Sequence, residues 1–233
     1  MGQAVRRPGQ VLAGIGFLIA ATACFAVLDT TVKVVGAVVS VLLAVWFRYM
    51  FQAVAVTAVM LPVRGRALLR TDHPRFQALR GVLLLSVSLI SFIALQYMPV
   101  GEFTAIIMVT PLAVTLLAAL FLKERVSVWR WLLVMGGFAG ALVVVRPGGE
   151  LFGWASLLPL TMVFMYAWFQ ILTARMARTE DPMTMHFYTG WVGALVASLA
   201  LPFVWQAIPD TLTWAQLCLV GLMGTVGHFL LIL

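Results

Sequence analysis

Arg48 is the residue that ordinary helix packing explains least well, because it lies about ten residues inside a long apolar run. If that run is a helix rising about 1.5 Å per residue, Arg48 stands near the middle of an apolar layer. A guanidinium there attracts the carboxylate or phosphate of a ligand, or pairs with helix-end carbonyls or a neighbouring acid. The first interpretation makes Arg48 a candidate for substrate binding, and both remain open.

Asp29 and Lys33 stand four residues apart in the first apolar run, with the acid first. This order and spacing favour a helical ion pair. One interpretation is a self-neutralising pair at the edge of the apolar layer. The other makes Asp29 a binding site for a cation and Lys33 part of a gate.

Aromatic and imidazole side chains supply the remaining binding candidates. Tyr166 and Gln170 share one helical face and could stack on or hydrogen-bond a ligand. His186 and His228 could relay protons, since the unperturbed pKa of histidine is about 6.5. Packing across helices is the alternative for both histidines. We therefore group Tyr166, Gln170 and His228 with ligand binding, and His186 with coupling to protons or ions.

Glu102 and Pro111 mark the fourth apolar run. Glu102 opens it, where a carboxylate suits a helix N-terminus, and an outer proton or cation site is the alternative. Pro111 removes a backbone hydrogen bond in the middle of the run, freeing a carbonyl near Ile107 and Met108. Broken helices often line transport cavities, so we count both residues as gating or coupling candidates.

Motifs of enzymes, metal sites and nucleotide-driven pumps are missing from the sequence. It contains no His-Glu-x-x-His, no Gly-x-Ser-x-Gly and no Gly-x-x-x-x-Gly-Lys-Ser/Thr. We therefore expect no catalytic residues, no metal site and no cofactor.

The elements that position these residues are membrane helices. The chain is 63% hydrophobic and 10% charged, whereas soluble domains carry about 25% charged residues. A span of the bilayer needs about 20 apolar residues. Eight stretches qualify as helices of one bundle: 11–35, 38–61, 79–97, 100–122, 128–145, 152–174, 183–203 and 214–233.

Basic residues gather on one predicted side of the membrane. That side holds twelve of the 15: Arg6, Arg7, Arg64, Arg66, Arg70, Arg75, Arg80, Lys123, Arg125, Arg130, Arg175 and Arg178. This bias places the N-terminus in the cytoplasm. Because the basic residues form separate clusters, and nucleic-acid binding needs a contiguous basic patch, we expect no nucleic-acid partner.

Weak internal similarity suggests two halves. Phe25-Ala26-Val27-Leu28-Asp29 aligns with Tyr166-Ala167-Trp168-Phe169-Gln170, and Leu61-Pro62 aligns with Leu201-Pro202. Five helices per half is an odd number, so the second half enters from the opposite side. We expect a first five-helix repeat over 1–146 and three helices of a second over 152–233, which makes the sequence a truncated one lacking about two helices.

Several motifs together resemble the drug/metabolite transporter superfamily, and its EamA-type members in particular. They are Trp46-Phe47-Arg48-Tyr49, Leu79-Arg80-Gly81, Thr110-Pro111-Leu112, Leu122-Lys123-Glu124-Arg125, Gly136-Gly137-Phe138-Ala139-Gly140, Val145-Arg146-Pro147-Gly148 and Gly224-Thr225-Val226-Gly227-His228-Phe229. The resemblance implies a ten-helix transporter made of two inverted five-helix halves. Its substrates would range over amino acids, nucleosides, cofactors and drugs.

The function expected from this resemblance is secondary transport of a small metabolite or drug-like molecule across the bacterial cytoplasmic membrane by alternating access. Two alternatives remain: a non-transporting membrane subunit or sensor, and, less favoured, an intramembrane enzyme. The expected partners are a small-molecule substrate and the lipid bilayer, with proton or ion coupling. The sequence does not indicate an oligomeric state.

Overall fold

A computed structural model of the chain describes residues 8–121, 126–145 and 153–232. The described residues form nine α-helices and two short 3₁₀ helices, without strands. The helices are α1 (Pro8–Val35), α2 (Val41–Arg64), α3 (Pro74–Tyr97), α4 (Val100–Ile107), α5 (Thr110–Phe121), α6 (Val128–Val145), α7 (Leu157–Met176), α8 (Pro182–Val204) and α9 (Thr211–Ile232). This architecture confirms the all-helical membrane fold.

Seven helical stretches of the described part of the chain are long and apolar enough to cross a membrane. The fourth of them comprises α4 and α5, because the run that the sequence predicts as one helix is broken at Met108 and Val109. Helix α6 coincides with the predicted run 128–145, but its apolar stretch within the described residues, Trp131–Gly140, is shorter than a span. An eighth crossing therefore stays a prediction.

Helices α2, α3 and α8 form the centre of the bundle. Helix α2 packs against α8 and α9, α3 packs against α7 and α8, and α1 packs against α9. Their apolar side chains form the main core. Within the described ranges, helix α6 packs mainly against α4 and α5, and its described side chains are exposed or half-buried. The periphery is therefore apolar, as expected for a surface that faces lipid.

Close helix contacts occur in matched pairs. A Cβ atom added at Gly81 of α3 would lie 2.5 Å from the Val192 Cβ of α8. A Cβ atom added at Gly221 of α9 would lie 2.4 Å from the Phe51 Cβ of α2. Gly221 stands 140 positions after Gly81, and Val192 stands 141 positions after Phe51. The pairing of α3 with α8 thus repeats that of α9 with α2.

The start of α8 is fixed by a cap. Pro182 occupies its first turn, and the Asp181 carboxylate accepts hydrogen bonds from the backbone N–H groups of Met183 (3.0 Å) and Thr184 (3.1 Å). Arg64, at the end of α2, forms a 2.7 Å ion pair with Asp181. Partial burial alone would raise the pKa of Asp181, but Arg64 and the two N–H groups outweigh it and lower that pKa.

Three predicted features lie outside the described residues: Arg6 and Arg7, the Lys123-Glu124-Arg125 turn, and the turn around Arg146.

Candidate functional site

Arg48 lies in the interior of the bundle, where its side chain is 2% exposed. Its Nη1 donates a 2.5 Å hydrogen bond to the Ser88 hydroxyl of α3, and its Nη2 lies 3.3 Å from the Nδ1 atom of His228 on α9. The guanidinium also lies 4.6 Å from the ring centroid of Tyr49. No carboxylate within the described residues forms an ion pair with it. Arg48 is therefore buried, as the sequence predicts, and its functional role stays a prediction.

Ser88 holds this arginine in place. Its hydroxyl donates to the Leu84 carbonyl at 2.8 Å. With its one proton used there, the hydroxyl accepts from Arg48, and the Tyr49 hydroxyl at 2.9 Å is the donor in the remaining bond. Arg48 Nε, however, is buried without a hydrogen-bond partner in the described part of the chain.

The Nδ1 atom of His228 lies between two possible hydrogen-bond partners and can serve only one of them at a time. This atom lies 3.3 Å from Arg48 Nη2, a donor, and 3.0 Å from the Gly224 carbonyl, an acceptor. Nδ1 serves one of the two at a time: it accepts from Arg48 when bare and donates to Gly224 when protonated. The edge of the Phe25 ring packs against the imidazole, with 4.9 Å between ring centroids.

The predicted pairing of Asp29 with Lys33 is wrong for this structure. Lys33 Nζ instead donates to the backbone carbonyls of Gln96 (3.4 Å) and Met98 (3.2 Å), at the end of α3. Asp29 is 9% exposed, and its carboxylate receives no hydrogen bond or ion pair from any described residue. The reason is geometric, since Lys33 reaches across to unsatisfied helix-end carbonyls rather than back along its own helix.

Asp29 and Arg48 line the same small cavity, of about 120 Å³, which we call the Arg48 pocket. Its wall also includes Ser88 and Ser91 from α3 and otherwise consists mainly of apolar and aromatic side chains. Asp29 is close enough to Arg48 for the two charges to interact, although they form no ion pair.

A second cavity, of about 680 Å³, adjoins the first, and we call it the wide cavity. Both cavities are lined by Phe25, Leu84, Tyr166 and His228, which we call the throat. Gln170, His186 and Pro111 line the wide cavity. Seven predicted site residues thus line two neighbouring cavities: Asp29, Arg48, Tyr166, His228, Gln170, His186 and Pro111.

The helix break at Pro111 lies beside both spaces. Pro111 has no N–H to donate to the Ile107 carbonyl, and α4 ends at Ile107. Ile107 lines the Arg48 pocket and Pro111 lines the wide cavity. The predicted mid-helix disruption is therefore present, as a break between α4 and α5.

His186 is buried beside the wide cavity and meets Gln52 of α2. Gln52 Nε2 lies 3.2 Å from the His186 carbonyl and 3.4 Å from its Nδ1 atom. His186 Nε2 and Gln52 Oε1 have no hydrogen-bond partner among the described residues. Glu102, in contrast, is half-buried in the first turn of α4 and lines neither cavity.

A buried polar chain that the sequence analysis missed runs from Arg80 through Gln77 to Glu180. Arg80 Nη1 donates to Gln77 Oε1 at 3.4 Å, and Gln77 Nε2 donates to Glu180 Oε2 at 3.2 Å. Arg80 also donates to Thr173 (2.9 Å) and to the Met185 carbonyl (2.8 Å). The sequence feature that could have revealed it is Pro74, a residue favoured in the first turn of a helix. A helix that begins there, rather than at residue 79, places Arg80 well inside it.

The two ends of the bundle differ. At the end marked by Lys33, the C-termini of α1 and α3 are joined by the Lys33 bonds and by Gln96 Nε2, which lies 3.4 Å from the Val32 carbonyl. Buried apolar residues including Val35, Leu95 and Met98 fill this end. At the end marked by Arg80, residues of α5, α7 and α9 line the wide cavity. The Lys33 end is therefore tightly packed, whereas the wide cavity lies toward the Arg80 end.

Comparison with known proteins places this architecture among transporters. The sequence pattern of the EamA-like transporter family matches residues 12–146. A riboflavin transporter of Rhizobium johnstonii is 31% identical over 72% of this chain and 56% of its own length. An S-adenosylmethionine uptake transporter of Rickettsia bellii is 27% identical over 94% of this chain and 74% of its own length.

A solved crystal structure shares the fold. It superposes with a TM-score of 0.70 at 21% identity, over 97% of this chain and 79% of that one. The chain therefore spans about half to three quarters of the length of these relatives.

Proposed function

Because the chain belongs to the EamA-like transporter family, we propose that it carries a small molecule across the bacterial cytoplasmic membrane by alternating access. The observation that carries this proposal is a buried arginine in the wall of a small cavity that shares four lining residues with a wider one. The family and the named relatives are transporters rather than enzymes.

The matched helix contacts support an inverted repeat. Under a two-fold relation of α1–α3 to α7–α9, the α1–α9 contact corresponds to α7–α3 and the α2–α9 contact corresponds to α8–α3. The same two-fold relation exchanges α2 with α8, so the contact between these two helices is mapped onto itself. In this proposal 1–146 form one five-helix repeat and 152–233 supply three helices of the second, within a ten-helix plan.

The cycle would exchange the closed and open ends. The excess of basic residues assigns the Arg80 end to the cytoplasm and the N-terminus with it. With this orientation, the proposal treats the structure as an inward-facing state in which the Lys33 bonds help to close the outer side. Opening outward requires these bonds to break and the wide cavity to close around α5, beside the break at Pro111. His186 and His228 remain candidates for proton coupling.

Riboflavin and S-adenosylmethionine are the first substrates to test, because the relatives are named for them. The assay measures uptake of each labelled compound, and of amino acids, nucleosides and cationic drugs, into liposomes containing the purified protein. We expect uptake of at least one compound, and a fall of about tenfold or more in Arg48→Gln. Arg66→Gln, at an exposed arginine, is the matched control and should transport normally.

The opposite result is equally clear. A folded protein that moves none of these compounds and co-purifies with a stable partner would identify a non-transporting membrane subunit. Equal transport by Arg48→Gln and the wild type would remove Arg48 from the site.

A further inference from the structure

Arg48 lies between two residues that occupy equivalent positions in the two halves of the bundle. Its Nη1 donates to the Ser88 hydroxyl of α3 at 2.5 Å, and its Nη2 lies 3.3 Å from His228 Nδ1 on α9. His228 stands 140 positions after Ser88, which is the same offset that relates the matched glycines of α3 and α9. One guanidinium on α2 therefore reaches the same position of α3 and of its counterpart α9.

The contacts within α3 and α9 agree with this equivalence. The Ser88 hydroxyl lies 2.8 Å from the Leu84 carbonyl, one turn earlier in α3. His228 Nδ1 lies 3.0 Å from the Gly224 carbonyl, one turn earlier in α9, and Gly224 again stands 140 positions after Leu84. Each side chain thus approaches the same carbonyl of its own helix, and Arg48 lies between them.

The two residues differ in how they can serve Arg48. The Ser88 hydroxyl donates to Leu84 and still accepts from Arg48, because its oxygen does both at once. The Nδ1 atom of His228 does only one: a proton on it serves Gly224, and a bare lone pair serves Arg48. Its distance to Gly224 is the shorter of the two. Ser88 is therefore the main partner of Arg48 in this structure, and His228 is available as a second one.

Gly224 allows Arg48 to lie against α9. A Cβ atom added at Gly224 would lie 2.8 Å from Arg48 Nε and 3.1 Å from Leu28 Cδ1. A side chain here would push the guanidinium away from α9 and from His228. The equivalent position of α3 carries Leu84, so the close approach is particular to the half that contains the second partner.

Helix packing indicates which contact of Arg48 changes between states. Under the two-fold relation the α2–α9 contact exchanges with α8–α3, and both of these contacts are extensive. The smaller α2–α3 contact exchanges with α8–α9, which is smaller still. Thr189, 141 positions after Arg48, and His228 both line the wide cavity, whereas Arg48 and Ser88 are bonded. If the halves exchange conformations, α2 therefore parts from α3 at this level and stays with α9.

We propose that Ser88 and His228 are alternate positioning residues for Arg48: Ser88 holds its guanidinium while the Lys33 end is closed, and His228 holds it while that end is open. This proposal rests on the proposed alternating access and adds the bond that changes with the state. The imidazole stays neutral, because the proton that Nδ1 gives up to water is replaced by one that Nε2 takes from water. An acceptor thus remains beside the buried charge as α3 moves away.

The test uses two cysteine reporters in a chain whose native cysteines are replaced by alanine. Ser91→Cys, in the wall of the Arg48 pocket, reports opening at the Lys33 end. Ala174→Cys, beside the wide cavity, reports opening at the Arg80 end. A membrane-impermeant maleimide is applied to right-side-out and inside-out vesicles. The labelling rate of the first reporter divided by that of the second measures the balance between outward-open and inward-open states.

Loss of each partner should shift this ratio in opposite directions. Ser88→Ala removes the acceptor used while the Lys33 end is closed, so the ratio should rise about fivefold. His228→Leu removes the acceptor used while that end is open, so the ratio should fall about fivefold. Ser88→Thr and His228→Asn keep an acceptor in nearly the same place and should restore the ratio toward that of the parent.

Opposite shifts distinguish positioning from packing, because a general loss of packing has no reason to favour opposite states in the two variants. Ratios that stay constant, or that move in the same direction in both variants, would overturn the proposal. If one variant does not fold, the direction of the other still decides.

Uptake of labelled riboflavin and S-adenosylmethionine by the same proteins separates this proposal from the function on which it rests. Transport by the parent combined with unshifted ratios would contradict the alternate partners alone. A folded parent that transports neither these compounds nor the rest of the panel would contradict the proposed function as well.

Discussion

Arg48 and Arg80 are both almost fully buried, at 2% and 1% exposure, and both face a cavity. Their surroundings differ. Arg80 donates to Thr173, Gln77 and the Met185 carbonyl, and Gln77 connects it to the carboxylate of Glu180. Arg48 donates to Ser88, meets a histidine that is itself shared with Gly224, and keeps Nε unpartnered.

This difference suggests a structural role for Arg80 and a binding role for Arg48. Arg80 ties α3 to α7 and α8, and its charge has a path of hydrogen bonds to Glu180, which in turn accepts from Thr71, Asp72 and His73. Arg48 ties α2 to α3, lines the Arg48 pocket and has no partner for its Nε among the described residues. Burial alone does not mark a ligand site; incomplete satisfaction beside a cavity does.

The largest expected effect is on stability, at Arg80. Arg80→Gln removes the donors to the Met185 carbonyl, Thr173 and Gln77 Oε1; the Met185 carbonyl keeps Thr189, but Gln77 Oε1 loses its donor. We expect a loss of about 3 kcal/mol in the free energy of unfolding, since each unpaired buried group costs about 1–3 kcal/mol. Unfolding in detergent micelles, followed by circular dichroism, measures it.

The control is Arg75→Gln, at an exposed arginine one turn earlier in α3. It should unfold like the wild type. If Arg48→Gln destabilised the protein more than Arg80→Gln, the assignment of the two arginines to binding and structure would be reversed.

The sequence predicts the helical bundle well because composition and run length alone require it. Seven of the eight predicted runs coincide with stretches able to span a membrane. The start of α3 was predicted late because Pro74 and the polar residues after it were assigned to a loop. That error placed Arg80 at the very start of the predicted helix rather than inside it, and it concealed the chain to Glu180.

Seven of the nine predicted site residues line the two cavities, but the sequence did not indicate their contacts. An arginine inside an apolar run has to be explained, so Arg48 was identifiable from the sequence. Its partners Ser88 and His228 come from α3 and α9, and nothing in local spacing indicates that these helices meet there. The predicted pairing of Asp29 with Lys33 was wrong because spacing along one helix does not indicate the carbonyls at the end of α3, to which Lys33 donates.

A somewhat smaller effect is expected where α8 supports the Arg48 region. A Cβ atom at Gly193 would lie 2.1 Å from Tyr49 Cδ1, a ring atom that cannot swing away easily. Gly193→Ala should therefore cost about 1–3 kcal/mol of stability by overpacking. It should also reduce transport, because Tyr49 donates to the Ser88 that holds Arg48. Thermal unfolding and uptake measure the two effects.

Gly136→Ala is the matched control for this change, since no atom lies within 4 Å of the added Cβ. It should leave stability unchanged or raise it slightly, because alanine favours helix. A harmless Gly193→Ala would mean that Tyr49 is free to move, and would weaken the argument that Arg48 is held in place.

The matched glycines provide a test of the repeat. Gly81→Ala and Gly221→Ala should destabilise the protein by similar amounts, about 1–2 kcal/mol each, because both place a Cβ against a Cβ of the partner helix. Unfolding of the two variants under identical conditions measures this. Effects that differ severalfold would argue against equivalent roles for the two contacts.

A smaller effect is expected at the closed end. Lys33→Gln removes a cation from the carbonyls of Gln96 and Met98, which should weaken closure by about 1 kcal/mol and raise the open fraction about fivefold. The reporter is Ser91→Cys, in the wall of the Arg48 pocket, with Cys24 and Cys218 replaced by alanine. Labelling by a membrane-impermeant maleimide from the Lys33 end measures access.

Lys33→Arg keeps a cationic donor and is the control, with labelling close to that of the parent. Unchanged labelling in Lys33→Gln would show that apolar packing alone closes this end, and the contrast between the two ends would then rest on shape rather than on charge.

The smallest effect is expected at Asp181, at the Arg80 end. Its folded-state pKa is lowered, so the carboxylate stabilises the protein above its ordinary pKa of 3.8, and that stability is lost as the pH falls through the lower folded value. Melting temperatures between pH 7 and pH 3 should therefore fall more for the wild type than for Asp181→Asn. Asparagine still caps α8 but carries no charge for Arg64. Asp181→Ala should be weaker at every pH by about 1 kcal/mol, from the lost cap. Parallel profiles for the wild type and Asp181→Asn would assign the role of Asp181 to capping alone, which would leave the buried chain from Glu180 to Arg80 as the main electrostatic support of that end.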